Sequence, residues 1–144
     1  YFIPDESIMD ALRIAALSGV DVRLMIPAVP DHMFVYWASH SYVEDLLDSG
    51  VRAYTYDNGF LHAKTIVIDG AAASVGSTNW DIRSFRLNFE TNALMYDERV
   101  AGELKQAYLN DLSVCTELTP AWYASRSRYF KARSSFSRLF SAVL

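Results

Sequence analysis

Apolar and polar positions along the chain follow two rhythms, and the change from one to the other marks out short strands and longer helices. Tyr1-Phe2-Ile3 is an unbroken apolar run that predicts a buried strand; Pro4 with Asp5 and Glu6 then opens a helix whose first turn favours negative charge. Ile8, Leu12, Ala15 and Ala16 recur at helical spacing, and Gly19 supplies the left-handed position that ends such a helix. "VDVRLMI", residues 20–26, predicts a strand that stops at Pro27, residues 31–48 a second helix closed by Gly50, and "VRAYTY", residues 51–56, a third strand. Strand, helix, strand, helix, strand with glycine-ended helices predicts an α/β fold: a mixed, largely parallel sheet flanked by helices.

"LHAKTIVIDGAAASVGSTNW", residues 61–80, predicts two more strands, at 62–68 and 71–75, joined by the hairpin dipeptide Asp69-Gly70. Side chains two apart on a strand share a face, so His62 and Lys64 project together. Ile66, Val67 and Ile68 make this strand apolar on both faces, which predicts a central position. A lysine at the head of such a strand must meet an anion or lose its charge, because an unpaired ammonium is costly to bury. Gly76, Ser77 and Asn79 follow the second strand, where glycine permits close backbone approach and a hydroxyl and a carboxamide can donate to an oxyanion. Imidazole, ammonium, hydroxyl and carboxamide converging at strand ends describe a phosphate site. "NFETNALMY", residues 88–96, predicts a further strand, and Asp97 caps a helix running to about 113; from Thr119-Pro120 the chain is helical again, with aromatic and basic residues interleaved.

With 144 residues and 51% apolar content the chain can bury one sizeable core. The single cysteine, Cys115, excludes a disulfide framework, and His32, His40 and His62 lie too far apart to show metal-ligand spacing, so neither metal nor cofactor is expected. The net charge of −4 is unevenly placed. All 17 acids and eight of the 13 basic residues lie at or before Glu117, leaving that part at −9, while Arg126, Arg128, Lys131, Arg133 and Arg138 make the rest +5. An acidic body argues against nucleic acid as a partner, and a basic, aromatic-rich tail at 118–144 argues for an anionic membrane surface. The chain opens on Tyr1 in what reads as the middle of a strand, so it is expected to be a piece of a longer protein.

His62, Lys64, Asp69, Gly76, Ser77 and Asn79 together spell H-x-K-x4-D-x6-G-S-x-N, which matches the HKD motif of the phospholipase D superfamily at every position. "YFIPDESIMDAL", "GVDVRLMIP", "SYVEDLLDSGV", "GFLHAKTIVIDG" and "DIRSFRLNFETN" resemble the C-terminal half of bacterial cardiolipin synthases. The resemblance covers residues 1–117, expected to form a phospholipase D-like half-domain. It implies a bacterial cell-membrane enzyme, anchored upstream of this chain and peripheral in this part, that joins two phosphatidylglycerol molecules into cardiolipin and releases glycerol, without a metal. Two HKD halves would share one site, this chain pairing with an N-terminal half or with a second copy. One histidine would carry a covalent phosphatidyl group and the other would serve as general acid and base. The resemblance favours the acid/base part for His62, and the likeness of the two halves leaves the reverse open.

Lys64 and Asn79 would stabilise charge on the phosphate, with Ser77 a further substrate contact or a loop cap. Glu90, in "NFETN", is the candidate to hold the second nitrogen of His62; the resemblance points the same way. Asp69, in the Asp-Gly turn, is expected to be a structural hydrogen-bond acceptor, Gly76 to be structural, and Arg83 and Asn88 to hold the loop. His40 and Tyr42 are read as polar helix positions that could alternatively face a lipid head group, and His32 as a helix start. Two alternatives stay open: a hydrolytic phospholipase or nuclease using water as acceptor, and a non-catalytic docking half, against which the intact His, Lys and Asn set speaks.

Overall fold

Pairing and packing are described for residues 1–140 in a computed structural model; residues 141–144 of the expected tail lie outside the described residues. β1 (Phe2–Ile3) leads to Asp5, whose carboxylate accepts from the Ile8 amide at 3.1 Å and starts α1 (Glu6–Leu17). Gly19, at φ +91°, turns the chain out of that helix. β2 (Arg23–Pro27) and β3 (Arg52–Tyr56) run parallel, Met25 opposite Tyr54, with α2 (Met33–Leu47) as the crossover between them. Asp21 clamps the start of this pair, accepting from Arg23 and Arg52 at 2.7 and 2.8 Å.

β4 (Thr65–Ile68) and β5 (Ala72–Gly76) form the expected hairpin, and β7 (Asn92–Met95) adds antiparallel to β5. β6 (Trp80–Asp81) pairs parallel with β1. The short α3 (Ile82–Arg86) follows β6; α4 (Glu98–Asp111) starts at Asp97, which accepts from the Val100 amide at 2.9 Å. The class is mixed α/β with helices flanking the sheets. Parallel pairing belongs to β1–β6 and β2–β3; the motif-bearing hairpin is antiparallel because the three residues between its strands can join them in no other way. β4 is an edge strand and not a central one: the order is β4-β5-β7, and Ile68 is 59% exposed. Its apolar run reflects α4 packing on the β4–β5 hairpin, not cover on both sides.

After α4, β8 (Cys115–Leu118) returns antiparallel to β3, followed by α5 (Pro120–Ala124) and α6 (Arg128–Arg138). The core lies around α2, where Ala38, Val43 and Leu46 are fully buried among Met9, Ile26, Ala53, Leu118 and Tyr123. α2 is buried on more than one face because it is packed both toward the sheet and against α6. His40 and Tyr42 are therefore interior residues and not polar helix positions. His40 Nδ1 and the Tyr123 hydroxyl share a hydrogen bond of 2.9 Å, and Trp122 stacks on the imidazole at 5.5 Å. His32 does precede α2, although its side chain makes no capping bond.

Candidate active site

His62 and Lys64 stand just ahead of β4, on the irregular segment that follows Asp57. The Gly76 amide donates to the Lys64 carbonyl at 3.2 Å, so the β4–β5 ladder reaches one residue further and sets Lys64 beside the Gly76-Ser77 turn. Gly76 is fixed by space. A Cβ there would stand 2.0 Å from Asn92 Oδ1 and 2.3 Å from the Thr91 carbonyl oxygen, so the close approach is to the chain entering β7.

Ser77 ties the loops together. Its amide donates to the Thr91 carbonyl and its hydroxyl accepts from the Thr91 amide, both at 3.0 Å, while the hydroxyl donates to Glu90 Oε2. Glu90 also accepts from Asn88 Nδ2 at 3.3 Å. Glu90 thus stands in the loop before β7 with Ser77 and Asn88 as its partners, where the sequence suggested a strand and a bond to His62. Asn88 holds that loop, whereas the exposed Arg83 contributes its backbone carbonyl, which accepts from the Asn88 amide at 2.9 Å. Asn79 is half-buried, accepting at Oδ1 from the Tyr1 nitrogen (3.3 Å) and donating from Nδ2 to Ser84 Oγ (3.5 Å).

His62 is exposed and stacks on Phe60 with ring centroids 5.6 Å apart. Among the described residues neither of its ring nitrogens has a hydrogen-bond partner. Lys64 Nζ donates to the His62 carbonyl at 3.1 Å and has no carboxylate within ion-pair distance among the described residues. Burial holds the Lys64 ammonium below its ordinary pKa, against the opposing pull of Glu90, Asp31 and Asp81. Glu90 in turn is lowered, first by the Ser77 hydroxyl, with Asn88, Ser84 and Lys64 acting the same way.

Asp31 and Asp81 escaped sequence reasoning. Asp31 accepts from the Tyr1 hydroxyl at 2.6 Å, far away in sequence, and Asp81 from the Ser84 amide at 2.6 Å; the field of each reaches Lys64 through the fold. Asp69 sits at the opposite end of β4 from His62. With φ +54° it forms, with Gly70 at +69°, a turn that needs two left-handed residues, and its carboxylate has no hydrogen bond among the described residues. No group of three or more His, Cys, Asp and Glu is placed to hold a metal ion among the described residues. Phe60, Phe85, Leu87 and Phe89, neighbours in sequence of the site residues, are exposed apolar side chains. An imidazole and an ammonium beside this turn, with a carboxamide on the loop beyond it, can bind a phosphodiester and attack it or protonate it, while the Ser77 hydroxyl has its proton on Glu90 and serves the loop.

The family described as "Cardiolipin synthase, PLD-like domain" matches residues 1–112. The chain is 55% identical over all 144 residues to a cardiolipin synthase of Staphylococcus aureus, and 53% identical over its full length to one of Listeria welshimeri. It spans 29% and 30% of the length of these curated relatives. The crystal structure of Nuc, a phospholipase D family member from Salmonella typhimurium, superposes with a TM-score of 0.71 over 83% of this chain and 78% of that one, at 24% identity. At that identity the likeness speaks for the fold alone. The chain belongs to the phospholipase D-like domain family of the cardiolipin synthases.

Proposed function

We propose that the chain is the C-terminal catalytic half of a phosphatidyl transferase, which makes cardiolipin from two phosphatidylglycerol molecules and releases glycerol. The observation that carries this reading is an exposed His62 with both ring nitrogens unengaged among the described residues, beside a half-buried Lys64 that no carboxylate among them pairs. Family membership and the S. aureus relative's name support the substrate class.

In the reaction a histidine nitrogen attacks phosphorus, and the bond from phosphorus to the glycerol oxygen breaks. The second histidine, as imidazolium, gives its proton to that oxygen. Now neutral, it takes the proton from a hydroxyl of a second phosphatidylglycerol, whose oxygen attacks phosphorus and frees the first histidine. Lys64 and the Asn79 carboxamide meet the non-bridging oxygens, where a preorganised donor typically supplies ~3 kcal/mol of barrier lowering. His62 takes the acid/base part. The nucleophile comes from the N-terminal half or a second copy, because one imidazole cannot hold the covalent phosphate and also protonate the departing alcohol.

Glu90 acts through Ser77 and Lys64. The phospholipid substrate places the working enzyme at the bacterial membrane; no described helix is long and apolar enough to cross one. The test follows labelled phosphatidylglycerol through the enzyme that contains this chain. Cardiolipin and free glycerol are expected, with excess glycerol driving the reaction backward and chelator leaving it intact. Phosphatidic acid as the product would replace this reading with hydrolysis.

A further inference from the structure

α6 is inverted relative to an ordinary docked helix. Against α2 it buries Ser134 and Ser137, both at most 3% exposed, along with part of Phe130. Outward it presents Tyr129 and Phe136, and the turn that continues it presents Leu139 and Phe140, with Tyr129 64%, Phe136 55% and Leu139 79% exposed. Residues 129, 132, 136 and 140 follow helical spacing, so Tyr129, Phe136 and Phe140 form one stripe, and Leu139 adjoins it. Buried serines and exposed aromatics on one helix are the reverse of what a soluble surface selects, and such a stripe marks a contact.

The charges say with what. Arg138 pairs with Asp45 of α2, and Lys131 lies near enough to Glu44 to act on its carboxyl, so these two face the body. Arg128 and Arg133 are exposed with no carboxylate in ion-pair distance among the described residues, and Arg133 stands over the Tyr129 ring at 4.1 Å. Aromatics flanked by unpaired arginines fit the head-group region of an anionic bilayer, where rings settle at the interface and guanidinium groups meet lipid phosphates.

We infer that the outer face of α6, docked as it is on α2, is a bilayer-contact surface for anionic phospholipid. The helix needs neither to unfold nor to leave the body to engage it. This deepens the reading of a phospholipid enzyme, and it is testable without turnover.

The intact chain is sedimented with phosphatidylglycerol vesicles and with phosphatidylcholine vesicles across a salt series. Binding is expected to phosphatidylglycerol alone and to weaken as salt shortens the screening length from about 10 Å at 0.1 M toward about 3 Å at 1 M. Arg128→Gln with Arg133→Gln should lower partition roughly 20-fold, and Phe136→Ser with Leu139→Ser by about tenfold or more. Because these side chains are exposed, thermal melts should be unchanged. His62→Ala should bind as the wild type does, which separates failure of this inference from failure of the catalytic reading. Absent or salt-insensitive binding overturns the inference. So does a melting or oligomeric change in the outer-face variants with vesicle binding intact, which would make the stripe a protein contact.

Discussion

Gly76 and Gly102 ask opposite things of an added methyl group. At Gly76 the methyl would drive into Asn92 and the Thr91 carbonyl, so Gly76→Ala should cost about 1–3 kcal/mol in a denaturant titration and disturb the Ser77–Glu90 bond. Gly102, inside α4, has nothing within 4 Å of its Cβ position, so Gly102→Ala should instead stabilise by about 0.5–1 kcal/mol. Lys64 supplies the pH signature. Its burial lowers the pKa below the ordinary 10.5, and its proposed task needs the ammonium. The Lys64 ammonium, followed directly by side-chain NMR, should therefore titrate below the range of an exposed lysine. Glu90 pulls Lys64 upward, so Glu90→Gln should move that titration to still lower pH; an unmoved titration would contradict the coupling of Glu90 to Lys64. Lys64→Met should reduce kcat by ~10²-fold or more.

At the level of elements, the junction of α2 with α5 and α6 turns on His40. The imidazole is fully buried, and burial, helped by Arg126, lowers its pKa to about 4 from the ordinary 6.5. The unfolded chain then binds the proton first as pH falls. The stabilising effect is complete above about 6.5 and is lost between 6.5 and 4, by roughly 3 kcal/mol in all. Melting temperature should drop through that window, and His40→Phe should flatten the drop. Truncation after Glu117 should destabilise the chain outright, because it removes Leu118 from β8 and Tyr123 from the core. Local chemistry made much of this architecture legible. Asp5 and Asp97 are caps and Asp69-Gly70 is a turn by their own stereochemistry. β8 was hidden because "CTEL" carries no strand rhythm and extends only by pairing with β3, far away in sequence. β4 read as central because its apolar run could not reveal that its outer edge lacks a neighbour. In the site, the motif marked His62, Lys64, Ser77 and Asn79, whereas the influence of Asp31 and Asp81 on Lys64 exists only once the chain is folded.

For the molecule as a whole, one motif means one imidazole for the proposed cycle, which uses two. The exposed apolar side chains near the site and the 29% share of the relatives' length agree with a catalytic centre completed by another half. A 144-residue chain shown to be monomeric should therefore turn over no phosphatidylglycerol, and activity on pairing should rise with the square of its concentration until pairing saturates. The central claim is that His62 reacts with the phosphodiester or moves its proton. The most direct measurement is single-turnover conversion of labelled phosphatidylglycerol by the complete enzyme carrying His62→Ala, with thermal melts alongside. The account predicts that cardiolipin formation is abolished while melting is unchanged. Cardiolipin formed at the wild-type rate by the His62→Ala enzyme would contradict it.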